Sequence, residues 1–304
     1  MSSGIEELVV QPPQSATWKV HLDRSMWVGG VRGLMLQALH PLAMRGVWQN
    51  SNFQEDPFGR LRRTADFVGR VTFGSPEEAA EIGRRVRGIH RALRIHDPDT
   101  GRTHRVDDPE LLLWVHCAEV SSYLEVVRRG GLRLTEREAD RYLWEQRESA
   151  TYVGLHREDV PGSCAEMDAY FKRLRSDLRV TEEAAATVRF LMWPRLPAEL
   201  RLLSAGKPAY FPFGALCYYT LPDWARRLYG ALPEVPRATV TAALRAFRMT
   251  MNSLPEPVHD HAFMPATREM LRASRERLGA AGYDVSKGLR GLTDPRRWPT
   301  ALAA

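Results

Sequence analysis

The chain has 304 residues, 44% of them hydrophobic and 9% aromatic, which is enough for a sizeable core in one large domain or two small ones. A charged content of 26% excludes a disordered chain, and 43 Lys+Arg against 37 Asp+Glu leave +6, an excess that favours an anionic partner without choosing among nucleic acid, lipid headgroups and the carboxylates of a cofactor. Cys117, Cys164 and Cys217 are odd in number and far apart with no C-x-x-C pair, which argues against a disulfide framework or thiolate zinc site, and no apolar run approaches the ~20 residues that span a bilayer. A reduced, cytoplasmic setting is expected.

Residues 1–16, with Pro12 and Pro13, read as an extended arm. A helix is expected near residues 27–46, and His40 before Pro41 marks a helix end, because the residue preceding proline is pushed out of the α region. Three further starts carry a capping residue followed by proline: Asp56-Pro57, Ser75-Pro76 and Asp108-Pro109. Proline is tolerated there because the first-turn N–H groups have no intrahelical acceptor. Ser75 with Glu78, and Thr135 with Glu138, have the spacing of a reciprocal capping box, and Thr181 is followed by the acidic pair Glu182 and Glu183.

Beyond Ser75, Ile82, Val86, Ile89 and Leu93 recur every three or four residues and predict an apolar stripe facing a core. Beyond Asp108, Leu112, Leu113, Val115, His116, Val120, Tyr123 and Leu124 leave little polar face and predict a deeply buried helix. Helices are also expected near residues 57–70, 135–152, 181–193, 222–230, 236–252 and 265–278. The aromatic cluster Tyr210, Phe211, Phe213, Tyr218 and Tyr219, broken by Pro212 and Gly214, reads as a packed loop. A shift in composition near residue 195 suggests a helical C-terminal subregion, and the Gly- and Pro-containing residues 279–304 read as a loose tail. Strand signals are sparse. The fold class is therefore all-α, a single large helical domain over residues 17–278.

His90 projects from the apolar stripe of its helix, with Val86 and Leu93 one turn away on either side. An imidazole presented among apolar side chains suits an axial iron ligand, since its nitrogen lone pair binds metal while its neighbours exclude water; by spacing alone, a core histidine bonded to a backbone carbonyl is the commoner case. Arg84, Arg85, Arg87, Arg91 and Arg94 share that helix and its end and offer cations to an anionic group. His116 is flanked by Leu112 and Val120 and is open to three readings: a second ligand, an orienting group or simple core. Arg60, Arg63 and Thr64 fall at i, i+3 and i+4, so two cations and a hydroxyl on one helix face could polarise dioxygen or hold an anionic substrate, or else stand solvated. His40 at a helix break either points into a cavity or merely ends the helix. Glu256 and His259 have E-x-x-H spacing with Pro257 between them, and His259 with His261 lack a third ligand, so a di-iron bundle or zinc site is not expected. Asp97 and Asp99 read as turn residues. Glycine-rich phosphate loops and the G-x-S-x-G elbow are absent.

Taken together, residues 33–170 resemble the catalytic domain of the MpaB and rubber-oxygenase (latex-clearing protein) family. The resemblance is carried, in order, by LMLQALHPLAMRGV (34–47), FQEDPFGRLRRTADFVGRVTFGSPEEA (53–79), VRGIHRAL (86–93), DDPELLLWVHCAEVSSYL (107–124), LTEREADRYLWEQRE (134–148) and DVPGSCAEMDAYF (159–171). It implies an all-helical fold with a globin-like core around haem b. His90, in the V-x-x-x-H motif, would be the proximal iron ligand, and Arg60, Arg63 and Thr64 would face the distal side. Arg63 stands where rubber oxygenases have a lysine, and the segment before Arg60 offers His40 and Asn52 where those enzymes have an acidic residue.

The reading that follows is a haem-dependent oxygenase or oxidase acting with dioxygen on a small, apolar or aromatic metabolite. Arg60, Arg63, Thr64 and His40 would lie at the reaction, with His90, Arg87 and His116 about the cofactor, and an electron donor could be a partner. The alternative is a non-catalytic haem-binding or sensing module with two axial histidines. A basic helical nucleic-acid binder ranks last, because the stripe of Ile82, Val86, Ile89 and Leu93 commits the arginine-rich helix to a core.

Overall fold

The computed structural model describes residues 5, 7–51, 55, 57–193, 207–255 and 268–299, without the side chains of 57, 58, 61 and 207–209. Among the described residues fourteen α-helices and one two-stranded hairpin make up the fold. In chain order the helices are α1 (Ala16–His21), α2 (Met26–Gln37), α3 (Pro41–Asn50), α4 (Pro57–Phe73), α5 (Pro76–Ala92), α6 (Pro109–Arg129), α7 (Glu136–Val153), α8 (Cys164–Leu174), α9 (Glu182–Met192), α10 (Lys207–Tyr219), α11 (Asp223–Tyr229), α12 (Arg237–Ser253), α13 (Arg268–Ala280) and α14 (Gly288–Gly291). Between α5 and α6, β1 (Arg94–His96) and β2 (Thr103–Arg105) pair antiparallel, with Ile95 opposite His104. The all-α class holds.

Local chemistry sets the helix starts. Ser75 accepts from the Glu78 N–H at 3.3 Å while the Glu78 carboxylate accepts from the Ser75 N–H at 2.8 Å, and Thr135 and Glu138 repeat the exchange. The Asp108 carboxylate accepts from the Glu110 N–H ahead of a helix with twelve buried residues. The expected 27–46 helix is two helices, because His40 is extended (φ −86°, ψ 114°) ahead of Pro41. The Asp97 and Asp99 turn receives the buried Arg45 guanidinium, which ties α3 to the hairpin.

The core is built around α2 lying against α6. Gly29 and Gly33, one turn apart, allow the approach: a Cβ on Gly29 would meet Ser122 O and Tyr123 Cα at 3.2 Å, and one on Gly33 would meet Glu119 Cα at 3.5 Å. Arg32 spans the junction, donating to Ser122 Oγ and Thr220 O, and Trp114 Nε1 donates to Gln37 O at 2.9 Å. This close packing fixes Glu119 and Tyr123 against α2.

Several expectations change. Tyr210–Tyr219 is helical rather than a loop. Tyr210 and Phe213 stack one turn apart at 5.3 Å, Cys217 and Tyr218 enter the core, and a Cβ on Gly214 would lie 2.6 Å from Met192 Cα, so packing on α9 outweighs the cost of Pro212 inside the helix. α8, capped by Ser163, has no counterpart among the expected elements. The N-terminal arm is fastened to the end of α4 by Val10 N–H to Gly74 O and Gln11 N–H to Thr72 O. The supposed tail is packed as well: Tyr283, Leu289 and Leu292 join Val9, Trp18 and Phe73 in a second apolar cluster. Ile89 is 49% exposed, so α5 buries a narrower stripe than its periodicity suggests.

Candidate active site

α4 and α5 form a hairpin against α6 and α7, and a small cavity of about 70 Å3 lies where their inner faces meet. His90, on the last turn of α5, and the buried His116 of α6 both line it, with Phe67, Val68 and Val71 of α4 opposite. His90 Nδ1 and His116 Nε2 are buried without a hydrogen-bond partner among the described residues. Burial lowers the proton affinity of both rings, against an opposing pull from Asp107 on His90, and brings His116 down to about 4. At neutral pH each is a neutral imidazole with an unused buried nitrogen.

A larger cavity of about 280 Å3 lies on the other side of α6 residues Val115, Glu119 and Tyr123. Arg60 and Thr64 of α4 line it, as do Leu34 of α2, Phe190 of α9 and, from the C-terminal region, Leu271, Leu289 and Arg290. The chain's last helices therefore complete a cavity whose other walls include α2, α4, α6 and α9. Arg60 Nη1 donates to Ser51 Oγ at 2.8 Å, and burial, aided by neighbouring Arg63, lowers its affinity for its proton.

His21, Val68, Val115, Glu119 and Tyr123 line both cavities and form the partition between them. Tyr123 donates its hydroxyl proton to Glu119 Oε1 at 2.7 Å, and burial raises the Glu119 carboxyl above its ordinary range despite that bond. His21 is held at both nitrogens. The Thr72 hydroxyl gives its one proton to Val68 O at 2.7 Å, so at His21 Nδ1, 2.8 Å away, it accepts. Nδ1 thus carries the ring proton, Nε2 accepts from Tyr142 Oη at 3.2 Å, and burial pushes the ring down to about 3, keeping it neutral.

The residues singled out in sequence fall into three groups. His90 with His116, and Arg60 with Thr64, lie on opposite sides of one partition. Arg63 is exposed and lines neither cavity, so the expected triad on one face reduces to Arg60 and Thr64. Arg87 Nη1 donates to Tyr152 O at 2.8 Å and fastens α5 to the end of α7 instead of facing a cavity. His40 Nδ1 accepts from the Ala43 N–H at 3.4 Å and its ring lies 6.0 Å from that of Trp114; it caps α3 and lines neither cavity, although Ala38 and Ala43 beside it do. Asn52, Asp56, Glu256, His259 and His261 lie outside the described residues. Glu119, Tyr123 and His21 were not anticipated. The one available signal was a carboxylate within the apolar stretch of that helix, three residues after His116 and four before Tyr123.

The sequence profile of the family described as ER-bound oxygenase mpaB/B′/Rubber oxygenase, catalytic domain, matches residues 18–284. Among solved structures, that of latex clearing protein LCP in the closed state superposes with a TM-score of 0.53 at 18% identity, covering 86% of this chain and 73% of that one, a likeness of fold. No curated protein matches by sequence.

Proposed function

The chain belongs to the mpaB and rubber-oxygenase catalytic-domain family and is an oxygenase, and from that premise we propose that it depends on haem b, held by His90, and acts with dioxygen on a small, largely apolar metabolite. The observation that carries the cofactor is the smaller cavity. Two neutral imidazoles there keep buried nitrogens without partners, and an unsatisfied buried nitrogen is costly unless something binds it. Iron satisfies such a nitrogen, and the valines and phenylalanine opposite suit an apolar macrocycle. The donor set fits the group, and a macrocycle, larger than a cavity of about 70 Å3, would extend past the shared wall toward the larger cavity.

Haem bound there supplies the redox-active iron that dioxygen chemistry requires. His90 holds the cofactor and His116 stands beside it as a second ligand or an orienting group. Arg60 and Thr64 present N–H and O–H donors to the larger cavity, Leu34, Phe190, Leu271 and Leu289 keep it dry, and Glu119 can hold or release a proton at the partition. Arg63, Arg87 and His40 have no part in this arrangement. No helix among the described residues is long and apolar enough to cross a membrane. An electron donor would be required if the reaction reduces dioxygen beyond what the substrate supplies.

The test is a visible spectrum of the purified protein before and after incubation with haem. A Soret band that shifts with carbon monoxide supports the oxygenase reading. A six-coordinate spectrum indifferent to carbon monoxide would instead assign both His90 and His116 as axial ligands of a non-catalytic module. A protein that takes up no haem contradicts both.

A further inference from the structure

The larger cavity has a chemical direction of its own. Its wall is mainly apolar but includes Arg24, Arg60, Arg290, Asp23 and Glu119. Among the described residues neither acid pairs with Arg60 or Arg290. Asp23 accepts from Arg248 Nε at 2.7 Å and from the Ser25 hydroxyl at 2.6 Å, and Glu119 is engaged by Tyr123 and favoured in its neutral form. Among the described residues Arg290 donates to the Asn252 carbonyl at 3.4 Å and Arg60 to the Ser51 hydroxyl, while Arg24 donates to the Met251 and Leu254 carbonyls. A guanidinium has five N–H donors in a planar fork that matches a carboxylate, and a desolvated cation with no counter-ion is unfavourable. Among the described residues Arg60 pairs with no carboxylate, and Thr64, one turn further along the same face of α4, lines the cavity beside it.

We propose that the larger cavity binds an amphiphilic carboxylate, an organic acid whose carboxylate is held by Arg60 and Thr64 and whose apolar chain lies against Leu34, Phe190, Leu271 and Leu289. As a statement of substrate class it rests on the oxygenase reading above; as a statement of binding it stands on the cavity alone. A volume of about 280 Å3 is at the small end of ligand pockets and suits a medium-length chain over a long polymer. A carboxylate could also come from the propionate arms of haem. Arg60 lines the larger cavity and His90 and His116 the smaller, and the haem content measured below decides between a separate molecule and a propionate.

The experiment is calorimetric titration of the purified full-length protein with decanoate and with decanol, its haem content measured alongside. Decanoate is expected to bind about tenfold or more tightly than decanol, as a charge-assisted bond in a dry site requires. Arg60→Gln brings decanoate to the level of decanol and leaves decanol binding unchanged, which also shows that the variant is folded. Arg60→Lys keeps part of the preference, because it keeps the charge but not the fork. Equal affinities in the unaltered protein, or no binding of either compound, overturns the proposal. So does an Arg60→Gln variant that loses haem while still preferring decanoate, since the guanidinium would then serve a propionate. A decanoate preference in a protein that takes up no haem leaves this site standing and removes only the cofactor reading.

Discussion

The smaller cavity and the larger one share a wall but treat their polar atoms differently. In the smaller, His90 and His116 each keep a buried nitrogen without a partner among the described residues, so the cavity is short of something that accepts a lone pair. In the larger, Asp23, Glu119 and His21 are already satisfied by protein groups, and among the described residues the cation Arg60 meets a hydroxyl but no carboxylate. One deficit calls for a metal and the other for an anion. An oxygenase needs both a place for its cofactor and a place for its substrate, and the contrast suggests how this chain separates them.

The contrast can be broken from either side. The largest expected effect is at the C-terminal wall of the larger cavity. Leu289 is 3% exposed within the second apolar cluster, and Leu289→Ala should cost about 2–5 kcal/mol in chemical unfolding by leaving a void. It should weaken decanoate binding while sparing haem uptake; loss of haem with retention of decanoate would reverse the assignment of the two cavities.

On the smaller side, His116 binds its proton at about 4 in the fold against 6.5 when free. The unfolded chain therefore takes up that proton first as pH falls. The stability His116 contributes is complete above 6.5 and is lost progressively down to about 4, by about 3 kcal/mol at roughly 1.4 per unit. Denaturant curves of the haem-free protein should show His116→Leu losing less stability than the unaltered chain over that window; parallel curves would show that the ring is not buried as described.

The smallest effect belongs to the partition. Glu119 holds its proton more tightly folded than unfolded, so its contribution to stability is present below its ordinary value of 4.5 and lost as pH rises through the raised value. Glu119→Gln, which keeps an acceptor for Tyr123, should change stability by less than about 1 kcal/mol at pH 4 and gain on the unaltered protein as pH rises. A difference that does not depend on pH would mean that the carboxyl is solvated.

How much of this was legible in sequence depends on the range of the interaction. The capping boxes of Ser75 and Thr135 and the prolines after Ser75 and Asp108 act within one turn, and the structure has them as expected. His90 and His116 were also legible, because helical spacing placed them among apolar neighbours. The residues misread depend on partners far along the chain. Val9 and Tyr283 are buried against each other's cluster, Gly214 is needed for contact with α9, and Arg87 answers to a carbonyl on α7. Arg63 shows the limit of periodicity, since i+3 and i+4 neighbours of Arg60 diverge enough that one reaches the cavity and the other faces solvent. Glu119 was hidden by its setting, because nothing in the spacing sets it apart from Glu110 and Glu125 of the same helix, and only the tertiary packing buries it.

The most direct test of the account is the Soret absorbance per protein of the unaltered chain, His90→Ala and His116→Ala, each loaded with haem under the same conditions. The account predicts a band in the unaltered protein, its loss in His90→Ala and its retention in His116→Ala. A His90→Ala protein that keeps the full band would contradict it.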